Sequence, residues 1–210
     1  MNYLKLAALS GALVLLSGCA TDTLNNTAGK ATKYEDVSSV GRVSGVGIES
    51  QDVSSMTDQM MRDMLTSPIL AGRTTPPRII IDAQYFTNES TSRINTNLIT
   101  DRLRLNLNRA AAGKMVFVGR EHAQMVESER QLKRDGVVDS GTIRTTAATF
   151  GADFRLVGRI TSLDAVDTRT GEVSRSHLIG FEMIDLESGA IVWGAPYEFK
   201  KTAQDNVLYR

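Results

Sequence analysis

The chain has 210 residues, with 24 basic side chains, 24 acidic side chains and two histidines. That balance leaves no electrostatic footprint for nucleic acid, and the length suits one domain with an extension. A single cysteine excludes an intramolecular disulfide, so the fold has to rest on its apolar core.

The N-terminus carries a processing signal. Lys5 gives a positive start, and Leu6 to Leu16 is an apolar run too short to span a bilayer as a mature helix. It ends in Leu16-Ser17-Gly18-Cys19, the pattern of a lipobox. Small residues let the backbone lie extended in a signal peptidase, and the thiol accepts diacylglycerol. The only cysteine of the chain stands where a lipobox needs it. The expectation is cleavage before Cys19, lipidation of Cys19 and attachment by lipid on the periplasmic side of a membrane. Several acyl chains, at about 0.8 kcal/mol per buried methylene, make such an anchor durable. Ala20, rather than an inner-membrane-retaining aspartate, follows the cysteine, which points to the outer membrane.

Residues 1–18 are therefore read as signal peptide, 19–47 as a lipidated tether and 48–210 as a globular domain. From Ala20 to Gly47 the chain is rich in Thr, Ser, Asn, Gly and Ala, with too little apolar surface to offset the entropy of ordering. Tyr34, Val37, Val40 and Val43 recur at threes, which allows a short docked segment near its end.

Asp52 reads as the N-cap of a helix over 52–66, with Val53, Met56, Met60 and Met64 at helical spacing, and Pro68 limits it. The methionines are soft enough for an adaptable binding face, but a core-filling face is the simpler reading. Arg78 to Phe86 follows as a strand dominated by Ile79, Ile80, Ile81, Tyr85 and Phe86. After a polar loop from Thr87 to Asn97 comes a helix with Ile99, Leu103 and Leu107 on one face and Gly113 as its C-cap. Residues 115–118 are a short strand. Residues 121–134 form a charged helix with Glu129 and Lys133 at i, i+4, and Ser140 opens a further helix that includes Ile143, Ala147 and Phe150.

The rest reads as a three-stranded meander. Phe154, Leu156 and Ile160 alternate, as do Ile179, Phe181 and Met183, and Ile191, Trp193, Tyr197 and Phe199 share one side of the last strand. Asp167 to Gly171 and Asp185 to Gly189 carry the same turn chemistry, in which Asp bonds its own backbone and Gly supplies positive φ. Pro196 argues for an edge or a bulge. The fold class expected is α/β: one domain, a mixed sheet with helices packed on it and a C-terminal meander.

Chemistry is sparse. There is no nucleophile elbow, zinc-protease helix, P-loop or dinucleotide fingerprint. His122 and His177 have no metal-ligand partner at suitable spacing. Glu182, Asp185 and Glu187 read as surface carboxylates rather than an acid–base pair, and Arg93 and Arg102 as ordinary surface arginines. Neither enzyme activity, a cofactor nor a metal is expected. A polar loop leaving a buried strand is where a rigid domain displays function, so Asn88, Glu89, Ser90, Thr91 and Arg93 are the candidate partner contacts.

Residues 47–52 (GIESQD), the helix ending near Met64, the Asn88-Glu89-Ser90 loop, residues 132–136 (LKRDG), 151–158 (GADFRLVG) and 188–193 (SGAIVW) together resemble the LpoB family. The resemblance runs from about residue 47 to residue 201. It implies a TolB N-terminal-like α/β domain on an outer-membrane lipoprotein. It also implies activation of a class A, bifunctional penicillin-binding protein by contact, and so a regulator of peptidoglycan synthesis, cell-wall biogenesis and cell shape, expected as a monomer. A second reading is an accessory or structural lipoprotein of an envelope export apparatus of the curli-secretion kind. That kind inserts membrane strands of about ten residues, for which the sequence has no spare segment.

Overall fold

The computed structural model describes residues 32–41, 45–141 and 148–204. Cys19 and the lipobox, most of the expected tether, and the body of the helix expected from Ser140 to Phe150 lie outside the described residues, Ile143 and Ala147 included. From Asp36 onward the chain forms one compact unit.

Helix α1 (Ser50–Thr66) starts two residues earlier than its apolar pattern suggests. Asp52 is not the N-cap. Glu49 is, and Asp52 sits at N3, where its carboxylate accepts the Glu49 amide at 2.8 Å while the Glu49 side chain serves the N3 amide. This reciprocal box satisfies two orphan donors, which a lone Asp52 cap would not. Ser67-Pro68 ends α1 and starts a single turn, α2 (Pro68–Ala71).

The strand expected over 78–86 is broken. Strand β1 (Arg78–Ile80) stops at Asp82, whose Oδ1 accepts the Gln84 amide at 3.1 Å and caps a 3-10 turn over Ala83–Tyr85. Strand β2 (Phe86–Asn88) then resumes beside the same neighbour. An aspartate that bonds its own backbone competes with the ladder, and here it wins.

Helix α3 (Thr96–Ala110) buries Ile99, Leu103 and Leu107 as its period requires. Its C-cap is Ala111, two residues before the Gly113 the sequence suggested, and Ala112 and Gly113 both take positive φ beyond it. Strand β3 (Val116–Phe117) and helix α4 (Ala123–Arg134) follow. Every residue of α4 except Arg130 is exposed, and Glu127 and Glu129 pair with Arg130, Arg134 and Lys133 along it, the solvated face the charge pattern implies.

Strands β4 (Phe154–Asp167), β5 (Glu172–Asp185) and β6 (Ile191–Ala203) form an antiparallel meander. The sheet order is β3-β1-β4-β5-β6, with β1 and β2 both parallel to β4 at successive positions. Both hairpin turns close as read: Gly171 N donates to Asp167 O and Gly189 N to Asp185 O, each at 2.8 Å, with glycine φ of 73° and 75°. β6 is the edge strand that Pro196 favours, and the one register shift of the β5–β6 pair is at Met183/Ile184.

Helices α1 and α3 cover one face of this sheet. Met56, Met60 and Met64 meet Ile99, Leu103 and Leu107 above Phe154, Leu156, Ile160, Ile179, Phe181 and Met183. All are buried, so the methionines fill the core, each contributing about 1.5–3 kcal/mol of burial. Phe86 and Phe181 pack with ring centroids 5.3 Å apart, and Gly158 leaves room for the Phe86 ring: a Cβ there would lie 2.3 Å from Phe86 Cε2. Trp193 faces the same core but is only partly buried, because its Nε1 reaches out to Asp63 Oδ2 at 3.1 Å and ties β6 to α1.

Candidate functional site

The loop after β2 is a hydrogen-bonded knot. Asn88 Oδ1 accepts the Ser90 amide at 3.0 Å and the Ser90 hydroxyl at 2.7 Å, while Asn88 Nδ2 donates to Ser92 O at 2.7 Å. The Ser92 amide donates back to Ser90 Oγ at 3.3 Å, and Ser92 itself is buried. Asparagine suits this position because its amide offers both a donor and an acceptor to a tight turn. The knot is fastened to β4: Glu89 N donates to Ile160 O at 2.8 Å and Thr91 N to Ser162 Oγ at 3.3 Å.

The five candidate contacts therefore divide. Asn88 and Ser90 are half-buried and bond within the loop, whereas Glu89, Thr91 and Arg93 are exposed. Glu89 lies 3.4 Å from Arg159 across the surface.

Beside the knot lies the sheet face that α1 and α3 do not cover. Alternation and register place Val157, Arg159 and Thr161 of β4 beside Glu182, Gly180 and Leu178 of β5, with Gly194, Pro196 and Glu198 of β6 beyond. Two shallow depressions mark it. One, of about 530 Å³, is lined by Tyr85, Val157, Arg159, Gly180 and Glu182, and the other, of about 490 Å³, by Thr161, Leu163, Leu178 and Glu198. At its rim Arg155 Nη2 binds both Asp82 oxygens, at 2.9 and 2.7 Å, and stacks 4.5 Å from the centre of the Tyr85 ring. Tyr85 is half exposed on this rigid support.

The residues weighed for catalysis do not assemble. Asp185 spends Oδ1 on the amides of Ser188 and Glu187, which hold its carboxyl below the usual range. Glu182 stands exposed on the open face. His122 lies on the surface beside Glu121, at 3.2 Å. Arg102 is turned inward, donating to Ser54 Oγ at 2.6 Å and Thr57 Oγ1 at 3.1 Å. No metal-binding cluster of His, Cys, Asp and Glu occurs among the described residues.

Two polar assemblies escaped the sequence reading. Arg175 grips Asp164 with two bonds, at 2.6 and 2.7 Å, and this pairing holds the Asp164 carboxyl below its ordinary value against the opposing effect of burial. His177 is buried, stacked on Phe199 at 4.7 Å, with Nε2 2.7 Å from Val46 O. Beside it Lys201 Nζ donates to Gly47 O at 3.0 Å and to Asp52 Oδ2 at 2.6 Å. Val46 and Gly47, read from sequence as tether, are buried here. The partners of His177 and Lys201 lie more than a hundred residues away and leave no local signal, while Asp164 and Arg175 meet only once the β4–β5 register sets them opposite each other.

These features define a two-layer α/β domain with one helix-covered face, one open face and a rigid loop at its side. The chain belongs to the LpoB family: the family model described as peptidoglycan-synthase activator LpoB matches residues 52–199. Among solved structures it is similar to the LpoB C-terminal domain from Salmonella enterica (15% identity, TM-score 0.42, 70% of this chain and 98% of that one). The Escherichia coli LpoB C-terminal domain gives 17% identity and a TM-score of 0.40 over 70% of this chain and 97% of that one. Lipoprotein GNA1162 from Neisseria meningitidis gives 16% identity and a TM-score of 0.32 over 63% and 88%. No curated protein matches the chain. No helix among the described residues is long and apolar enough to cross a membrane.

Proposed function

We propose that this protein is a lipid-anchored, non-catalytic activator of peptidoglycan synthesis that works by touching a class A penicillin-binding protein from the periplasmic side of the outer membrane. The family match over 52–199 carries the reading, because it spans the folded domain from α1 to β6. The lipobox at Cys19 supplies the anchor, and the single domain acts as a monomer. Activation by contact asks for a rigid surface, and the Asn88–Ser92 knot fastened to β4 supports one. Glu89, Thr91 and Arg93 are the outward contacts, with Asn88 and Ser90 holding their geometry. The export-apparatus reading finds no such support.

The test uses the mature chain from residue 20, without lipid, and the purified class A synthases of the same organism. Binding and a raised glycan-polymerisation rate are expected with at least one. Charge reversal by Arg93→Glu is expected to weaken binding about tenfold with thermal stability unchanged. If no synthase is bound or stimulated, the activator reading is wrong.

A further inference from the structure

The stretch around Val46 is held more firmly than a tether needs. A buried imidazole takes its backbone on one side, and a lysine that also bridges to α1 takes it on the other. Val46 O can only accept, so His177 Nε2 carries the proton. The other ring nitrogen, Nδ1, is then an acceptor, buried and without a partner among the described residues. Lys201 adds the Gly47 carbonyl and Asp52 to the same assembly, with Glu49 3.9 Å from its ammonium. Phe199 lies under both groups, stacked on the imidazole and 5.6 Å from Lys201 Nζ.

We propose that His177 and Lys201 form an acid-releasable clamp that fixes residues 45–48 to the sheet and so keeps the chain before them from joining the N-terminal tether. A second proton on His177 has to go to Nδ1, where no acceptor waits. Arg175 on β5 and Lys201 on β6 oppose that charge, Asp52 on α1 favours it, and Glu49 and Asp164 stand beyond, already paired with Lys201 and Arg175. Burial, first, and the two cations hold the imidazole below its ordinary value of 6.5, against the Val46 bond and Asp52. A group depressed in this way stabilises the closed strap above 6.5, and that contribution is lost as the pH falls through the lower value. Opening frees residues 45–48; once the contact of the Ser38 hydroxyl with Ser54 Oγ on α1, at 3.1 Å, parts as well, residues 36–49 add to the tether, up to about 46 Å at about 3.3 Å per residue. The clamp stands on geometry alone; its meaning for reach rests on the lipid-anchored reading.

The test is thiol labelling of the full chain carrying Cys19→Ser, which keeps the clamp and the lipid anchor experimentally separate. Val46→Cys reports the strap, Val40→Cys, at a position 79% exposed, calibrates thiol reactivity at each pH, and Met64→Cys reports the core. At pH 7.5 Val46→Cys is expected to react at least about a hundredfold more slowly than Val40→Cys. At pH 5 that gap is expected to shrink at least tenfold while Met64→Cys stays protected. Added His177→Gln, whose amide can still donate to Val46 O but does not titrate, keeps the gap at both pH values. Added Lys201→Met narrows it at both. A gap independent of pH with His177 present, a gap that still responds to pH in His177→Gln, or Met64→Cys opening in parallel overturns the proposal.

Discussion

Gly158→Ala probes the packing on which the two-layer arrangement depends. The added methyl would lie 2.3 and 2.5 Å from Phe86 Cε2 and Cδ2 and 3.0 Å from Gly180 O, so something has to move. The Phe86 ring cannot easily swing away, because Phe181 meets it at 5.3 Å and both are buried. Inserting a methyl into such a site costs about 1–3 kcal/mol. For a domain of this size each kcal/mol lowers Tm by roughly 2–4 °C, so a fall of about 4–8 °C is expected near the middle of that range. Thermal unfolding followed by the single tryptophan, Trp193, reads the Tm, and urea unfolding the free energy. Phe86→Leu alone removes ring contacts and costs about 1–2 kcal/mol, yet it also clears the space the methyl needs. The double variant should therefore lose at least about 1 kcal/mol less than the sum of the singles. Additive losses, or a Gly158→Ala protein as stable as the parent, would refute the reasoning.

Cys19→Ala should leave an unlipidated precursor with its signal attached. Intact mass of the membrane fraction decides: a parent protein cleaved before a free, unmodified Cys19 thiol, or a Cys19→Ala chain cleaved at the same place, would contradict the lipoprotein assignment. Asp164→Asn should cost about 1–2 kcal/mol at neutral pH, toward the low end for a charged hydrogen bond because the carboxylate is a third exposed. The depressed carboxyl contributes stability above its ordinary value of 3.8 and loses it as the pH falls through the folded value. Urea midpoints of parent and variant should thus converge in acid; a constant difference would assign the stabilisation elsewhere. A lipidated chain lacking residues 22–35 should fail in cells while its domain, purified, still stimulates the synthase, which growth and polymerisation assays read separately.

What the sequence made legible was whatever depends on near neighbours. The α3 face, the alternation of β4 and β5 and the twin Asp–Gly turns follow from periods and turn chemistry within a few residues. The misreadings share one cause, a polar group with two possible partners. Asp52 looks like a cap until Glu49 takes that place, and Asp82 looks like a strand residue until it bonds Gln84 N and Arg155. Trp193 read as core, and one distant acceptor, Asp63, draws its ring edge outward. The clamp on Val46 was invisible for the same reason: His177 and Lys201 are ordinary strand residues until the sheet brings residue 46 to them.

The placement of that clamp bears on how the domain would be presented. His177 pairs across the sheet with Ser162, and the Ser162 hydroxyl accepts the Thr91 amide of the candidate contact loop. The strap and the loop therefore meet one row of the sheet, joined through two neighbouring side chains of β4 and β5. With 14-residue strands on both sides of that row, the row is stiff. Tension on the N-terminus would meet the Ser38–Ser54 contact on α1 first and, behind it, the strap beside the loop. The reach changes as well. Reading the tether through Gly47 gives about 28 residues and at most about 90 Å, whereas about 16 residues lie between Cys19 and Asp36, where the compact unit begins, and these span at most about 53 Å. Asp36 must stay within that shorter distance of Cys19, with the width of the domain added before a synthase is met, unless the strap and the segment before it yield.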